Sequence, residues 1–372
     1  MKNGTLRVGL VGCGAIAQTK HLPSLAKLPH LCEIAGFCDA DAARRESSRT
    51  KYGCADARTY AEYQDLLADP SIDVVHVLTP NAYHASVTVA ALDAGKHVLC
   101  EKPMAETSAD AWRMVEAARR NKRKLTIGYQ TRFRDDVVAL RRAVDSGLLG
   151  EIYYARAHAV RRRGVPTWLL RPSATGFGGP LVDIGTHALD LTLWMMGNYE
   201  PASVTGSVFW KLNDQPEGNP FGEWAPGQYQ VEDSAFGFVK MKNGATVSLE
   251  TSWALNTTEN QEASTTLCGT KGGAEIRGGL ATPYRLVLNR VAHGMLVEET
   301  ITGAGKYTEY TGNIETLAEV MADPGLHEAE QWLRAILEDR DPSVLPEQAY
   351  VVTRILEAVY ESHRTGKTVA FA

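Results

Sequence analysis

The stretch Leu6-Arg7-Val8-Gly9-Leu10-Val11-Gly12-Cys13-Gly14-Ala15-Ile16-Ala17 decides the fold of this 372-residue chain. A largely apolar run of strand length enters a G-x-G-x-x-A turn, and a helical segment follows at once. Glycine at position 12 allows the tight turn, and the missing side chain at Gly14 lets a pyrophosphate approach the N–H groups of the helix start. A glycine triplet alone is a weak signal. Here a second apolar strand strengthens it by ending in Asp39, about 25 positions past the turn. Such a carboxylate accepts the hydroxyls of the adenine-side ribose and repels a 2′-phosphate, so NAD is favoured over NADP. The opposing feature is Arg44-Arg45 just downstream, which could reach that phosphate. Gly12, Gly14, Ala15, Ile16 and Asp39 are therefore the first cofactor candidates.

Outward from this turn, short apolar strands alternate with helical stretches. Strands are predicted at Leu6–Val11, Glu33–Cys38, Val74–Leu78, His97–Cys100 and Leu125–Gly128, with helices including Ala82–Ala94 and Ser108–Asn121. Strand then helix, repeated with short connections, is the grammar of a doubly wound parallel sheet, so residues 1–128 form a Rossmann domain. Ligands of such sheets lie outside the carboxyl ends of the strands. Two more turns occupy that position: Thr79-Pro80-Asn81, followed by His84, and Glu101-Lys102-Pro103. His84 either borders the dinucleotide or serves as a structural hydrogen-bonder. Lys102 projects into the crevice.

After residue 128 the grammar changes. A helix over about Asp135–Ser146 is followed by strand-like segments at Ile152–Val160, Ala202–Lys211, Ser234–Met241, Thr246–Trp253 and Glu262–Cys268. Asn243-Gly244 is a hairpin signal. Residues 129–372 thus read as an α+β domain with a mostly antiparallel open sheet, serving substrate binding and oligomerisation. Helices over about His327–Leu337 and Glu347–Arg364 close the chain, the last a candidate to pack back on the Rossmann domain. In Asp183-Ile184-Gly185-Thr186-His187 the acid and the histidine share one helix face, and Gly185 between them predicts a close packing partner. The irregular stretch Asn213–Gln228 reads as a functional loop.

The combination Gly12-x-Gly14-x-x-Ala17, Thr79-Pro80-Asn81, Glu101-Lys102-Pro103 and Asp183-x-x-x-His187 resembles the glucose-fructose oxidoreductase, inositol dehydrogenase and MocA family of sugar and polyol dehydrogenases. The likeness covers essentially the whole chain. It implies that Lys102 polarises the reacting hydroxyl and that Asp183 and His187 complete the site. Histidine has a pKa suited to taking the hydroxyl proton, and a lysine beside the same oxygen stabilises an alkoxide. Which of Lys102 and His187 carries the proton stays open. Thr79, Pro80, Asn81, His84, Glu101, Lys102 and Gln130 are the further cofactor candidates. Arg132, Arg161 and Trp168, with Asp183 and His187, are the substrate candidates, an aromatic ring and guanidinium donors suiting a sugar. A basic surface loop is an equal reading of Arg161-Arg162-Arg163.

The predicted function is hydride transfer between nicotinamide and a ring hydroxyl or ketone of a sugar, sugar derivative or cyclitol. The alternative is a glycosidase or lyase of the same family that uses tightly bound NAD transiently. A dinucleotide-binding sensor without chemistry is disfavoured, because Lys102, Asp183 and His187 are all present. With 39 basic against 44 acidic residues and a net charge of -5, the chain lacks the basic surplus of a nucleic-acid binder. No apolar run is long enough to span a bilayer. The six cysteines form no C-x-x-C pair, and no histidine cluster has metal-ligand spacing, so no metal is expected. An N-terminus without a signal peptide and buried free thiols predict a cytoplasmic enzyme. A dimer or tetramer formed through the second domain's sheet is expected.

Overall fold

The computed structural model describes residues 4–172, 178–279, 282–301 and 323–371. They fall into two compact units, Met1–Phe133 with Asp323–Tyr350, and Arg134–Ala322 with Val351–Ala372.

The first unit holds a six-stranded sheet in the order β3-β2-β1-β4-β5-β6. Its strands are β1 (Leu6–Val11), β2 (Cys32–Cys38), β3 (Arg58–Tyr60), β4 (Val74–Val77), β5 (His97–Cys100) and β6 (Leu125–Ile127). All are parallel. The central strand β1 is buried at every position, as a strand covered on both faces requires. At Gly9 an added Cβ would sit 3.0 Å from Leu66, so the glycine admits the helix Tyr63–Ala68 against the sheet. The helix Ala42–Tyr52 is capped by the Asp41 carboxylate, and Ser108–Asn121 by the Thr107 hydroxyl, as its sequence predicts. Late in the chain, Ala329, Trp332 and Leu333 of the helix Pro324–Leu337 enter the core formed by Leu6, Val8 and Leu10. Within the closing helix Pro346–Thr365, residues through Tyr350 cluster with this unit and those from Val351 with the other.

The second unit contains a nine-stranded sheet in the order β14-β13-β12-β11-β7-β10-β9-β8-β15. These are β7 (Ile152–Val160), β8 (Pro201–Phe209), β9 (Ser234–Met241), β10 (Thr246–Ser252), β11 (Gln261–Gly269), β12 (Gly272–Gly279), β13 (Thr282–Ala292), β14 (Met295–Ile301) and β15 (Val369–Ala370). Neighbours are antiparallel except β7 and β10, which run parallel. The Asn243-Gly244 turn joins β9 to β10, with Gly244 at φ 90°. The helices Gly185–Met196 and Pro346–Thr365 cover one face. Gly206 is required there, because a Cβ would meet Val359 at 2.7 Å. The apolar patterns do not assign β3, β12, β13, β14 and β15: β3 and β15 span three and two residues, β12 is half glycine, and β14 is an exposed edge without apolar alternation.

Candidate active site

In the first unit a cleft of about 670 Å³ opens at the carboxyl ends of β1, β2 and β4. Gly12, Gly14, Asp39, Arg44, Leu78, Thr79 and Pro80 are among its lining residues. Gly12 has φ 101°, and a Cβ would stand 2.5 Å from the Leu78 carbonyl oxygen, so only glycine passes under that turn. At Gly14 a Cβ would meet nothing within 4 Å, which leaves the space open to a ligand. Asp39 is fixed between turns. Its Oδ2 accepts from the Cys13 N–H at 2.8 Å and its Oδ1 from the Asp41 N–H at 2.9 Å, and a carboxylate so held retains lone pairs for further donors. Arg45 donates to the Asp39 and Ala40 carbonyls, whereas Arg44 lines the cleft. Thr79 Oγ1 is buried without a partner among the described residues. An open glycine turn, a fixed carboxylate and an unsatisfied hydroxyl form a donor and acceptor set that fits a dinucleotide. Ala15 lies on the rim beside Gly14, and Ile16 packs against the core.

Five cofactor candidates, His84, Glu101, Lys102, Gln130 and Asn81, lie outside the lining of this cleft. His84 is 1% exposed, with Nδ1 on the Pro103 carbonyl at 2.7 Å and Nε2 on that of Thr79 at 2.9 Å. Burial opposes its charge, but Cys100 and the two carbonyls raise its pKa to about 9. It therefore clamps the Thr79 turn to the Lys102 turn through both ring nitrogens. Glu101 is buried as well, with Oε1 at 2.6 Å from Lys20 Nζ and 2.9 Å from His21 Nε2, while Oε2 accepts from the Lys102 N–H at 3.0 Å. Burial works against ionisation of Glu101, yet Lys20 and His21 hold its carboxyl well below the usual range. Lys20 also pairs with Glu328 at 2.8 Å and reaches Gln130 Oε1 at 3.4 Å. Burial lifts Glu328 to about 7. Glu101 is thus the hub of a buried ion cluster behind Lys102, whose side chain is half-buried at the end of β5. Gln130 is half-buried beside that cluster, and Asn81 opens the single helical turn Asn81–Tyr83 after the cleft-lining Pro80.

In the second unit Asp183 closes the short helix Pro180–Asp183, and His187 lies in the first turn of Gly185–Met196. Both are half-buried, His187 between the buried Thr186 and Ala188. Asp190, three positions past His187 in the same helix, is wholly buried. The expected packing partner at Gly185 is Thr251, which a Cβ would meet at 2.6 Å. Asp183 Oδ2 accepts from the indole N–H of Trp253, itself fully buried, at 3.1 Å. Ahead of Pro180, Gly179 gives way to the buried Glu232 carboxylate, 2.2 Å from where a Cβ would stand. Glu232 accepts from Tyr360 Oη at 2.7 Å, and burial pushes its pKa up to about 7.

Two substrate candidates turn out to be struts. Arg132 is 2% exposed and donates to the Ser343 carbonyl at 2.9 Å and to Gln348 Oε1 at 2.8 Å, so it ties two segments of the first unit together. Arg161 donates through Nε to Glu262 Oε2 at 2.8 Å, through Nη2 to Glu262 Oε1, and through Nη1 to the Gly164 carbonyl at 2.7 Å. Each of its three nitrogens thus donates to a protein acceptor. Burial disfavours its charge, but Glu262 and then Asp183 raise its pKa, which places Asp183 within its electrostatic reach. Trp168 is 68% exposed, as a ligand-facing aromatic needs to be.

The two halves of the chain match the two models of one family. Residues 6–129 match its oxidoreductase NAD-binding Rossmann fold, and residues 141–371 its C-terminal alpha/beta domain. The chain belongs to the Gfo/Idh/MocA oxidoreductase family. It is accordingly an oxidoreductase with a dinucleotide-binding domain, acting on sugar-type hydroxyls. Among relatives in this family, D-glucoside 3-dehydrogenase of Escherichia coli K12 is 34% identical over 99% of this chain and 98% of its own. Inositol 2-dehydrogenase of Salmonella typhimurium LT2 is 35% identical over 54% of this chain and 57% of its own. The aldose-aldose oxidoreductase of Caulobacter crescentus, solved with glycerol, superposes with a TM-score of 0.76 at 26% identity, covering 99% of this chain and 100% of that one.

Within the Gfo/Idh/MocA pattern, the sequence reading misses Trp253, Glu232, Glu262 and the Lys20–Glu328 pair. Each lies far along the chain from the residue it holds, and nothing local to any of them signals a partner.

Proposed function

We propose that the protein oxidises a secondary ring hydroxyl of a glucoside, with NAD as hydride acceptor. The observation that carries the substrate class is the end-to-end similarity to D-glucoside 3-dehydrogenase, which makes the hydroxyl at position 3 of a glucosyl ring the first candidate. Asp39 would hold the adenine-side ribose, where its charge favours NAD over NADP, and the Gly12–Gly14 turn would admit the pyrophosphate to the helix start. NAD supplies the acceptor for the hydrogen leaving carbon. The chain's own residues handle the proton and the charge: His187 or Lys102 takes the hydroxyl proton, and Lys102 stabilises the developing alkoxide. Asp183, fixed by the Trp253 indole, would accept from a neighbouring hydroxyl and orient the ring. Half-buried Lys102 would be positioned through its backbone by Glu101, which is locked by Lys20 and His21.

No helix among the described residues is long and apolar enough to cross a membrane, and together with the free, mostly buried thiols this supports a cytoplasmic enzyme. Phe209 and Phe238 stand 36% and 48% exposed on the sheet face opposite the helices, which supports self-association there. The test of the catalytic proposal is to supply NAD and NADP with methyl and aryl glucosides, free glucose, levoglucosan and myo-inositol, following reduced nicotinamide. The expected result is NADH with glucosides and a keto-sugar as product. Aglycone release without net NADH would replace this reading with redox-assisted glycoside cleavage, which the dehydrogenase relatives do not favour.

A further inference from the structure

The loop after β7 and the irregular stretch before β9 are stitched together. Asn219 clips Val165 from both sides, its Oδ1 accepting from the Val165 N–H at 2.8 Å and its Nδ2 donating to the Val165 carbonyl at 2.9 Å. Thr167 Oγ1 donates to the Phe221 carbonyl at 3.2 Å, and the Gln230 N–H to the Leu170 carbonyl at 2.8 Å. Ties thus lie on both sides of Trp168. Its ring is 68% exposed and meets Phe221 edge-on, with centroids 5.6 Å apart and planes at 70°. On the other side of Phe221, the Arg161 guanidinium stands 6.0 Å from the ring centroid and is locked by Glu262, while the Arg161 N–H donates to the Ser252 carbonyl at 2.9 Å, next to Trp253, whose indole holds Asp183. Phe221 thus stands between the locked Arg161 guanidinium and the exposed Trp168 ring.

Such an arrangement has a chemical reading. Held through all three of its nitrogens by Glu262 and Gly164, Arg161 acts as a rigid post behind Phe221. Trp168 gives a broad apolar face with no charge to satisfy, on loops whose mutual hydrogen bonds have already met the ordering cost. A ring held at Asp183 and His187 by its hydroxyls would present its substituent outward along this row. On the reading of the protein as a glucoside dehydrogenase, we propose that Trp168 and Phe221 form a subsite for the aglycone, taking a ring that offers a flat C–H or π face. Stacking there binds the part of the substrate that does not react, so it acts on affinity rather than on the chemical step.

The test compares phenyl, cellobiosyl-type and methyl glucosides on the full-length enzyme carrying Trp168→Ala, Trp168→Phe or no substitution. Relative to wild type, Trp168→Ala is expected to lower the ratio of kcat/KM for phenyl over methyl glucoside by about tenfold, through KM, with Trp168→Phe recovering most of it. A matching fall with the disaccharide identifies a sugar ring as an equal occupant, and its absence restricts the subsite to aryl groups. An unchanged phenyl-to-methyl ratio overturns the subsite. If wild type forms no NADH with any glucoside, the dehydrogenase reading fails separately. Calorimetric titration with phenyl glucoside then still decides the subsite: binding weakened about tenfold by Trp168→Ala supports it, and equal or absent binding removes it.

Discussion

In the first unit the residues of the cleft follow directly on parallel strands: Gly12 and Gly14 after β1, Asp39 after β2, Thr79 and Pro80 after β4. In the second unit Asp183 is held by Trp253, 70 positions away, and Arg161 by Glu262, 101 positions away. A parallel sheet gathers its ligand residues at one end by construction, so each turn carries its own signal in a few consecutive residues. The mixed sheet instead brings separate strands beside one helix, and long-range pairing sets which side chains meet there. The lesson is that motifs locate a reacting group more readily than the groups that hold it. Substitutions on each side can break or sharpen that contrast.

The largest effect is expected at the local motif. Lys102→Ala should lower turnover by roughly 10²- to 10⁴-fold with NAD binding retained, as single-turnover rates and cofactor titration would measure. Unchanged turnover would remove Lys102 from the chemistry and leave the motif a purely architectural signal.

Next comes a holding group that no motif announces. Burial places the Glu232 pKa at about 7 in the folded chain against an ordinary value of 4.5. Between those values the folded state keeps a proton that the unfolded state has released, so this group's contribution to stability falls as pH rises through that window. The loss is at most about 3 kcal/mol. Glu232→Gln, neutral throughout, should flatten that part of the denaturant-derived stability profile relative to wild type. Parallel profiles for the two proteins would show that Glu232 ionises normally.

Smaller again is Asp39→Ala, which should narrow the preference for NAD over NADP by about tenfold in kcat/KM. Selectivity that does not move would assign the ribose to another residue, with Arg44 on the cleft wall the first to examine. The smallest effect is expected from Trp253→Phe, which deletes one hydrogen bond to Asp183 and keeps a ring in the core. About 1 kcal/mol of stability should go, with a few-fold fall in kcat/KM. A fall in stability alone would separate Trp253 from the positioning of Asp183.

The same contrast explains what the sequence disclosed. β1, β5, β7 and β9 have the bounds that their apolar patterns predict, since burial on one or both faces writes directly into residue type. The Rossmann cut at residue 128 stops short of Phe133, and the return of Asp323–Tyr350 to that unit leaves no mark in the helix's own pattern. His84, Glu101 and Arg132 illustrate the limit at the site. A polar side chain beside a motif reads as a ligand group whether it faces the cleft or satisfies buried carbonyls and ions behind it, and only the partners distinguish the two. Arg161 reads as a free guanidinium for the same reason, its acceptor lying on another strand.

The central claim is that hydrogen leaves carbon 3 of a glucosyl ring for NAD. Its most direct test is to give the enzyme NAD and a methyl glucoside carrying deuterium only at carbon 3, then analyse the reduced cofactor by mass spectrometry. The account predicts one deuterium on the nicotinamide for each molecule of keto-sugar formed. Unlabelled NADH, or a glucoside returned with its label intact while NADH accumulates, would place the reaction at another position and contradict it.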